Sequence, residues 1–147
     1  MADPISERLE VDDDFEAVQN LYLERGWTDG LPVVPPTVER VEAMLAATPL
    51  GSQEIIGEIP PNWGSATVEK LAVNAVMAGC RPEYLPVVIA AVEAMCDEVF
   101  NLYAIQATTH PCGPLIIVNG PICDDLGLHG GSGAYGPGWQ PNATIGR

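Results

Sequence analysis

The residues best suited to chemistry lie together in ATTHPC, 107–112, where Thr108, Thr109, His110 and Cys112 precede an apolar run. Histidine changes protonation near neutral pH, so His110 is a candidate proton donor or acceptor. Thr108 and Thr109 offer hydroxyl donors to an oxygen that gains charge in a reaction. Cys112 lies two residues after His110. In an extended segment the two side chains would share a face, as a thiolate and its base do. Pro111 restrains that geometry, and a cysteine beside an apolar strand commonly serves as a small buried hydrophobe. His110 with the two threonines is therefore the candidate catalytic set, with Cys112 as a bystander. The alternative for His110 is a structural ring hydrogen-bonded to backbone. His129 is a second histidine that a folded loop can bring to the same place.

That loop is LGLHGGSGAYGPG, with six glycines in thirteen residues. Within it, Gly131 to Gly136 match GxGxxG letter for letter. A dinucleotide fingerprint needs a strand before it and a helix opening inside it, and neither is indicated here. The better ligand reading is a nest of backbone amides around Gly131, Ser132 and Gly133 that holds an anionic group ahead of a short helix. The bland alternative is a loop shaped by turn chemistry alone. Arg81, Asn119 and Asn142 complete the candidate substrate-binding set, and Arg81 carries a fork of donors suited to a carboxylate or phosphate. Asp29, Glu58, Asn74 and Tyr84 also fall at element ends, where structural roles compete with functional ones. No metal set is indicated and no cofactor is specified. Cys80, Cys96, Cys112 and Cys123 are spaced 16, 16 and 11 apart, without a CxxC pair.

Composition narrows the partners. A net charge of -14 on 147 residues, with 20 acidic and 6 basic side chains, would repel a phosphate backbone or an anionic membrane surface. No run approaches the ~18 apolar residues of a membrane span, and no basic region followed by an apolar core opens the chain. Four free thiols in a soluble, cytoplasmic protein are the expectation. The 47% hydrophobic content suits one folded domain.

The elements that must position these residues follow from periodicity. A first helix begins after Asp12–Asp14, with Phe15, Val18, Leu21 and Tyr22 at helical spacing and Gly26 as its stop. The proline-rich stretch 29–36 is an extended connection that cannot be a central strand. Thr37 opens a second helix with Val38, Val41, Met44 and Leu45 on one stripe. EIIGEIPP, 54–61, reads as a short strand ended by its prolines. A third helix follows Ser65. Its Val73 and Met77 lie outside the main apolar stripe, which predicts burial on more than one face or an interface. Gly79, Arg81 and Pro82 turn the chain into a fourth helix whose regular part starts near Leu85. LYAIQA is expected as a strand, and PLIIVNG as a strand buried on both faces. The glycine-rich loop spans 127–141, and 142–147 look like the start of a helix cut short. The fold class is thus α/β or α+β, a helical hairpin packed on a small sheet.

Several phrases converge: DGLPVVPPT, GEIPP, NAVMAGCRPEYLPVV, QATTHP, VNGP and NATIGR. Together they resemble an uncharacterised bacterial family associated with small UGSC-motif proteins that carry cysteine or selenocysteine. The resemblance covers most of the chain from Asp29 onward. It implies a longer protein of which this chain is the N-terminal part, or a second polypeptide that completes the fold. It also implies chemistry in which a thiol or selenol partner meets a small anionic or carbonyl-type electrophile. On that reading this chain is an enzyme component that binds a small-molecule substrate within a homo- or hetero-oligomer. The competing reading is a non-catalytic subunit or assembly domain.

Overall fold

The computed structural model describes residues 4–147. The first helix, α1 (Phe15–Arg25), opens at Asp14, whose carboxylate accepts from the Ala17 N–H at 2.9 Å, and closes at Gly26 in the left-handed region. Val18 and Tyr22 bury their side chains against Val33. The proline-rich connection is held open by Gln19. Its amide donates to the Val33 carbonyl at 2.9 Å and accepts from the Val33 N–H at 3.0 Å, standing in for a strand neighbour.

The main core forms between α2 (Val38–Leu45), α3 (Val68–Ala78) and α4 (Leu85–Cys96). Val41, Met44 and Leu45 from α2 meet Val68, Ala72, Ala75 and Val76 from α3 and Leu85 and Ile89 from α4. Val73 and Leu71 pack against the same cluster, while Met77 reaches the α1 cluster. The second apolar face of α3 is therefore covered from within the chain. Gly79, at φ 88°, reverses direction after α3, and a 3-10 turn over Pro82–Tyr84 leads into α4 at Leu85.

Two short strands, β1 (Ile55–Ile59) and β2 (Gly64–Thr67), pair antiparallel with a bulge after Ile55. Among the described residues this two-stranded sheet is the only one, and seven α-helices accompany it, so the fold is mixed α+β. β1 lies directly on the end of α4. A Cβ on Gly57 would come within 2.6 Å of the Cys96 Sγ, so only glycine permits this approach. The hairpin of α3 and α4 thus packs on a small sheet, as the sequence implied.

Two expectations fail. LYAIQA forms a helix, α5 (Leu102–Ala107), not a strand. Asn101 decides this: it takes φ 55° and its side chain caps the Ala104 N–H at 3.3 Å, which starts a turn whose Leu102 is buried. PLIIVNG, expected as a strand buried on both faces, is in no sheet. Its residues run along α4, with Ile116 and Val118 half-buried and Leu115 and Ile117 exposed. It ends at Pro121 before α6 (Ile122–Leu126). The last helix, α7 (Gln140–Thr144), docks on the turn that follows α3, and the residues after it reach the proline-rich connection. Its Gln140 donates to the Gly79 carbonyl at 3.1 Å, and Arg147 grips Asp29 with two hydrogen bonds of 2.8 and 2.9 Å. No described helix is long and apolar enough to cross a membrane.

Candidate functional site

Thr108 caps the C-terminal end of α5, and its hydroxyl accepts from the His110 N–H at 3.1 Å. One acceptor site of the hydroxyl thereby serves the local turn, and among the described residues its O–H remains free to donate. Thr109 and His110 are exposed, and a second tight turn follows in which the Cys112 N–H donates to the His110 carbonyl at 2.8 Å. Among the described residues no hydrogen bond joins the His110 ring, Thr109 or Cys112 to the glycine-rich loop. Thr109 and His110 are exposed beside half-buried Thr108, and among the described residues no side-chain hydrogen bond brings an acid, base or anion donor to them.

The glycine-rich loop has its own centre. The His129 ring stacks on Trp139 with centroids 3.6 Å apart and planes within 3°. Asn142 braces that stack: its side-chain oxygen accepts from the His129 N–H, and its amide donates to the carbonyls of His129 and Ala134 at 2.9 and 3.2 Å. The His129 Nε2 lies 3.1 Å from the Ser132 carbonyl. A Cβ on Gly131 would sit 3.0 Å from the His129 ring, and Gly133 takes φ 84° beside Trp139. These contacts account for the GxGxxG letters: the glycines let backbone close around two stacked rings. No strand precedes them, and α7 begins only after Trp139. Of the predicted binding set, the structure brings Gly131, Ser132, Gly133 and Asn142 together around His129. Arg81 stands apart, exposed at the start of the 3-10 turn.

Asn119, also exposed, belongs to a different feature. α4 and the extended segment 114–119 form the two walls of an open cleft of about 450 Å³. Ala90, Ala94 and Met95 line it from the helix, and Leu115, Ile116, Ile117 and Val118 line it from the segment. The lining is almost wholly apolar. Comparison with family models, with curated proteins and with solved structures finds no match. The residues alone carry the functional argument.

Titratable groups elsewhere serve structure. Glu69 is 1% exposed and receives the backbone N–H groups of Ile5 and Ser6, the Ser6 hydroxyl and the Gln53 amide. Burial by itself would raise its pKa, but these hydrogen bonds outweigh it and hold the carboxyl below its ordinary value. Burial pushes the Cys80 and Cys96 thiols up, in Cys80 partly offset by a hydrogen bond with Thr144, so neither is an activated thiolate. The Arg147 guanidinium beside Asp29 holds that carboxyl well below the usual range. Among the described residues no group of three His, Cys, Asp or Glu side chains is placed to hold a metal. Sequence reasoning missed Glu69, which reads as an ordinary acidic residue in a helix's first turn, and Trp139, whose partner His129 lies ten residues away.

Proposed function

We propose that this chain is a subunit of a larger cytoplasmic protein assembly, and that another polypeptide seats in the cleft between α4 and segment 114–119. The observation that carries this reading is the segment itself. It is extended and apolar, and no described backbone bond pairs the N–H or C=O groups of residues 113–119. Such an edge is a template for pairing with another chain, and an apolar groove beside it adds the burial that drives association. The test is the native mass of the chain in an extract of cells that make it at natural levels, followed by immunodetection on size exclusion. Elution well above 15.6 kDa is expected. Elution at the monomer position overturns the reading.

A second reading adds chemistry to the same surface. Thr108, Thr109 and His110 lead straight into the cleft wall at Pro114, so a polypeptide covering the cleft would also meet His110. In that assembly the chain is an enzyme component: His110 exchanges a proton with a small anionic or carbonyl-type electrophile, and a thiol or selenol protein is the partner. His110→Ala then abolishes turnover of the assembled system while native mass and fold are unchanged. Full turnover in that variant removes His110 from the site.

A further inference from the structure

We infer that the occupant of this edge is a second copy of the chain, paired antiparallel through residues 115–119 with Ile117 on the twofold axis. The inference rests on the assembly reading above and adds the partner and the register. Three observations carry it.

The first is the pleat. All four residues 115–118 line the cleft beside α4, but Ile116 and Val118 are half-buried while Leu115 and Ile117 are 62% and 77% exposed. Alternation of that kind belongs to a strand with one covered face, whose backbone groups project sideways for a neighbour. Among the described residues only one bond reaches this backbone, from the Cys123 Sγ to the Val118 carbonyl at 3.2 Å.

The second is the length of the window. Pro114 lacks an N–H at one end, and Gly120, at φ 97°, turns the chain into Pro121 at the other. Pairing is confined to the residues between. A neighbour of the same sequence fits this window in one centred antiparallel register: Leu115 opposite Asn119, Ile116 opposite Val118, Ile117 opposite itself. Both α4 helices then lie on the same side of the new ribbon, and the twofold relation closes as a dimer in which each strand keeps its second edge unpaired.

The third is charge. Edges are ordinarily protected by lysine or other charges, and this one carries none. From Val99 to Cys123 the sequence contains no Asp, Glu, Lys or Arg. In a chain of net charge -14, two copies repel one another as wholes, and this uncharged stretch is where contact adds least to that repulsion. A basic partner would find no acidic residue in this strand to pair with, and an acidic one no lysine or arginine. The neutral strand is matched by another neutral strand, and a second copy supplies one at equal concentration.

The experiment places single cysteines on a Cys112→Ser background, which removes the exposed native thiol. Mild oxidation of the Ile117→Cys variant is expected to give a covalent dimer, because facing residues across a twofold bring their Cβ atoms to within disulfide reach. Leu115→Cys is the control: the two copies of that position lie four residues apart along the ribbon, roughly 13 Å, and stay unlinked. Light scattering over a dilution series reads the same state without cross-linking, and Ile117→Lys is expected to weaken the dimer at least tenfold with an unchanged circular dichroism spectrum. A dimer that links through Leu115→Cys but not Ile117→Cys, or through neither, overturns the register. A purified chain that is monomeric at every concentration overturns the second copy as occupant. If its native mass in the extract is nevertheless high, the assembly reading stands with a different partner. A monomer in the extract as well removes both.

Discussion

Protonating Glu69 releases the segment ahead of α1. Its folded pKa is lowered, so the stabilisation is complete above the unfolded carboxyl value of about 4.3 and is lost as pH falls through the folded value. Amide exchange at Ile5 and Ser6 is therefore expected to accelerate only in acid below that point. Glu69→Gln keeps the shape but turns an amide toward donors that need an acceptor, and is expected to cost about 1–3 kcal/mol in urea unfolding and to flatten the acid limb. An unchanged acid limb would show that Glu69 does not hold the segment. Asn142 makes the corresponding argument for the glycine-rich loop. Asn142→Ala strands one N–H and two carbonyls, so a loss of about 1–2 kcal/mol and faster exchange at His129 are expected. Asn142→Asp keeps the acceptor and forfeits the donors. If an anion bound at Gly131–Gly133 required Asn142 directly, phosphate would protect the wild type and leave Asn142→Asp unprotected.

At the scale of elements, a glycine permits the close approach of β1 to α4. Gly57→Ala puts a methyl 2.8 Å from the Cys96 Cβ and 2.6 Å from its Sγ, and overpacking of this kind costs about 1–3 kcal/mol. Cys96→Ala cannot relieve the clash between the two Cβ atoms, whereas Cys96→Gly can. The double variant Gly57→Ala with Cys96→Gly is expected to be more stable than the sum of the two single changes, and simple additivity in denaturant unfolding would place the contact elsewhere. The elements themselves divide by how local their causes are. α1, α2, α3 and α4 were legible because each repeats apolar residues at helical spacing, with Gly26 and Gly79 stopping α1 and α3 and Pro82 opening the turn into α4. β1 was legible from its prolines. β2 was not, since GSAT has no strand signature and exists through its pairing with β1. LYAIQA is six residues long, too short for a period of two to be told from one of 3.6, and Asn101 tipped it to helix. PLIIVNG carried the signal of a buried strand, but no described sheet takes it, and only Ile116 and Val118 of its apolar run are half-buried. The candidate site was legible in part. The neighbours of Asn142 were found, but its amide faces the loop backbone because His129 and Trp139 stack there, a pairing that residue types alone do not encode.

At the scale of the molecule, charge is unevenly distributed along the chain. Eighteen of the 20 acidic residues precede Val99, leaving only Asp124 and Asp125 after it. The segment 114–119, which is one wall of the cleft and the uncovered strand, falls in the part with almost no charge. Association through that part has a distinctive salt dependence. Two copies of charge -14 repel over a range set by the Debye length, about 30 Å at 0.01 M ionic strength and about 8 Å at 0.15 M. An interface without ion pairs has nothing for salt to weaken, so screening acts on the repulsion alone. The dimer is therefore expected to tighten as ionic strength rises across that range, and to tighten further in sulfate, which strengthens apolar burial. Sedimentation velocity at fixed protein concentration checks this. A dimer that dissociates with added salt would mean that Arg81 or another of the 6 cations bridges the copies, and would move the interface off the neutral strand to the acidic half.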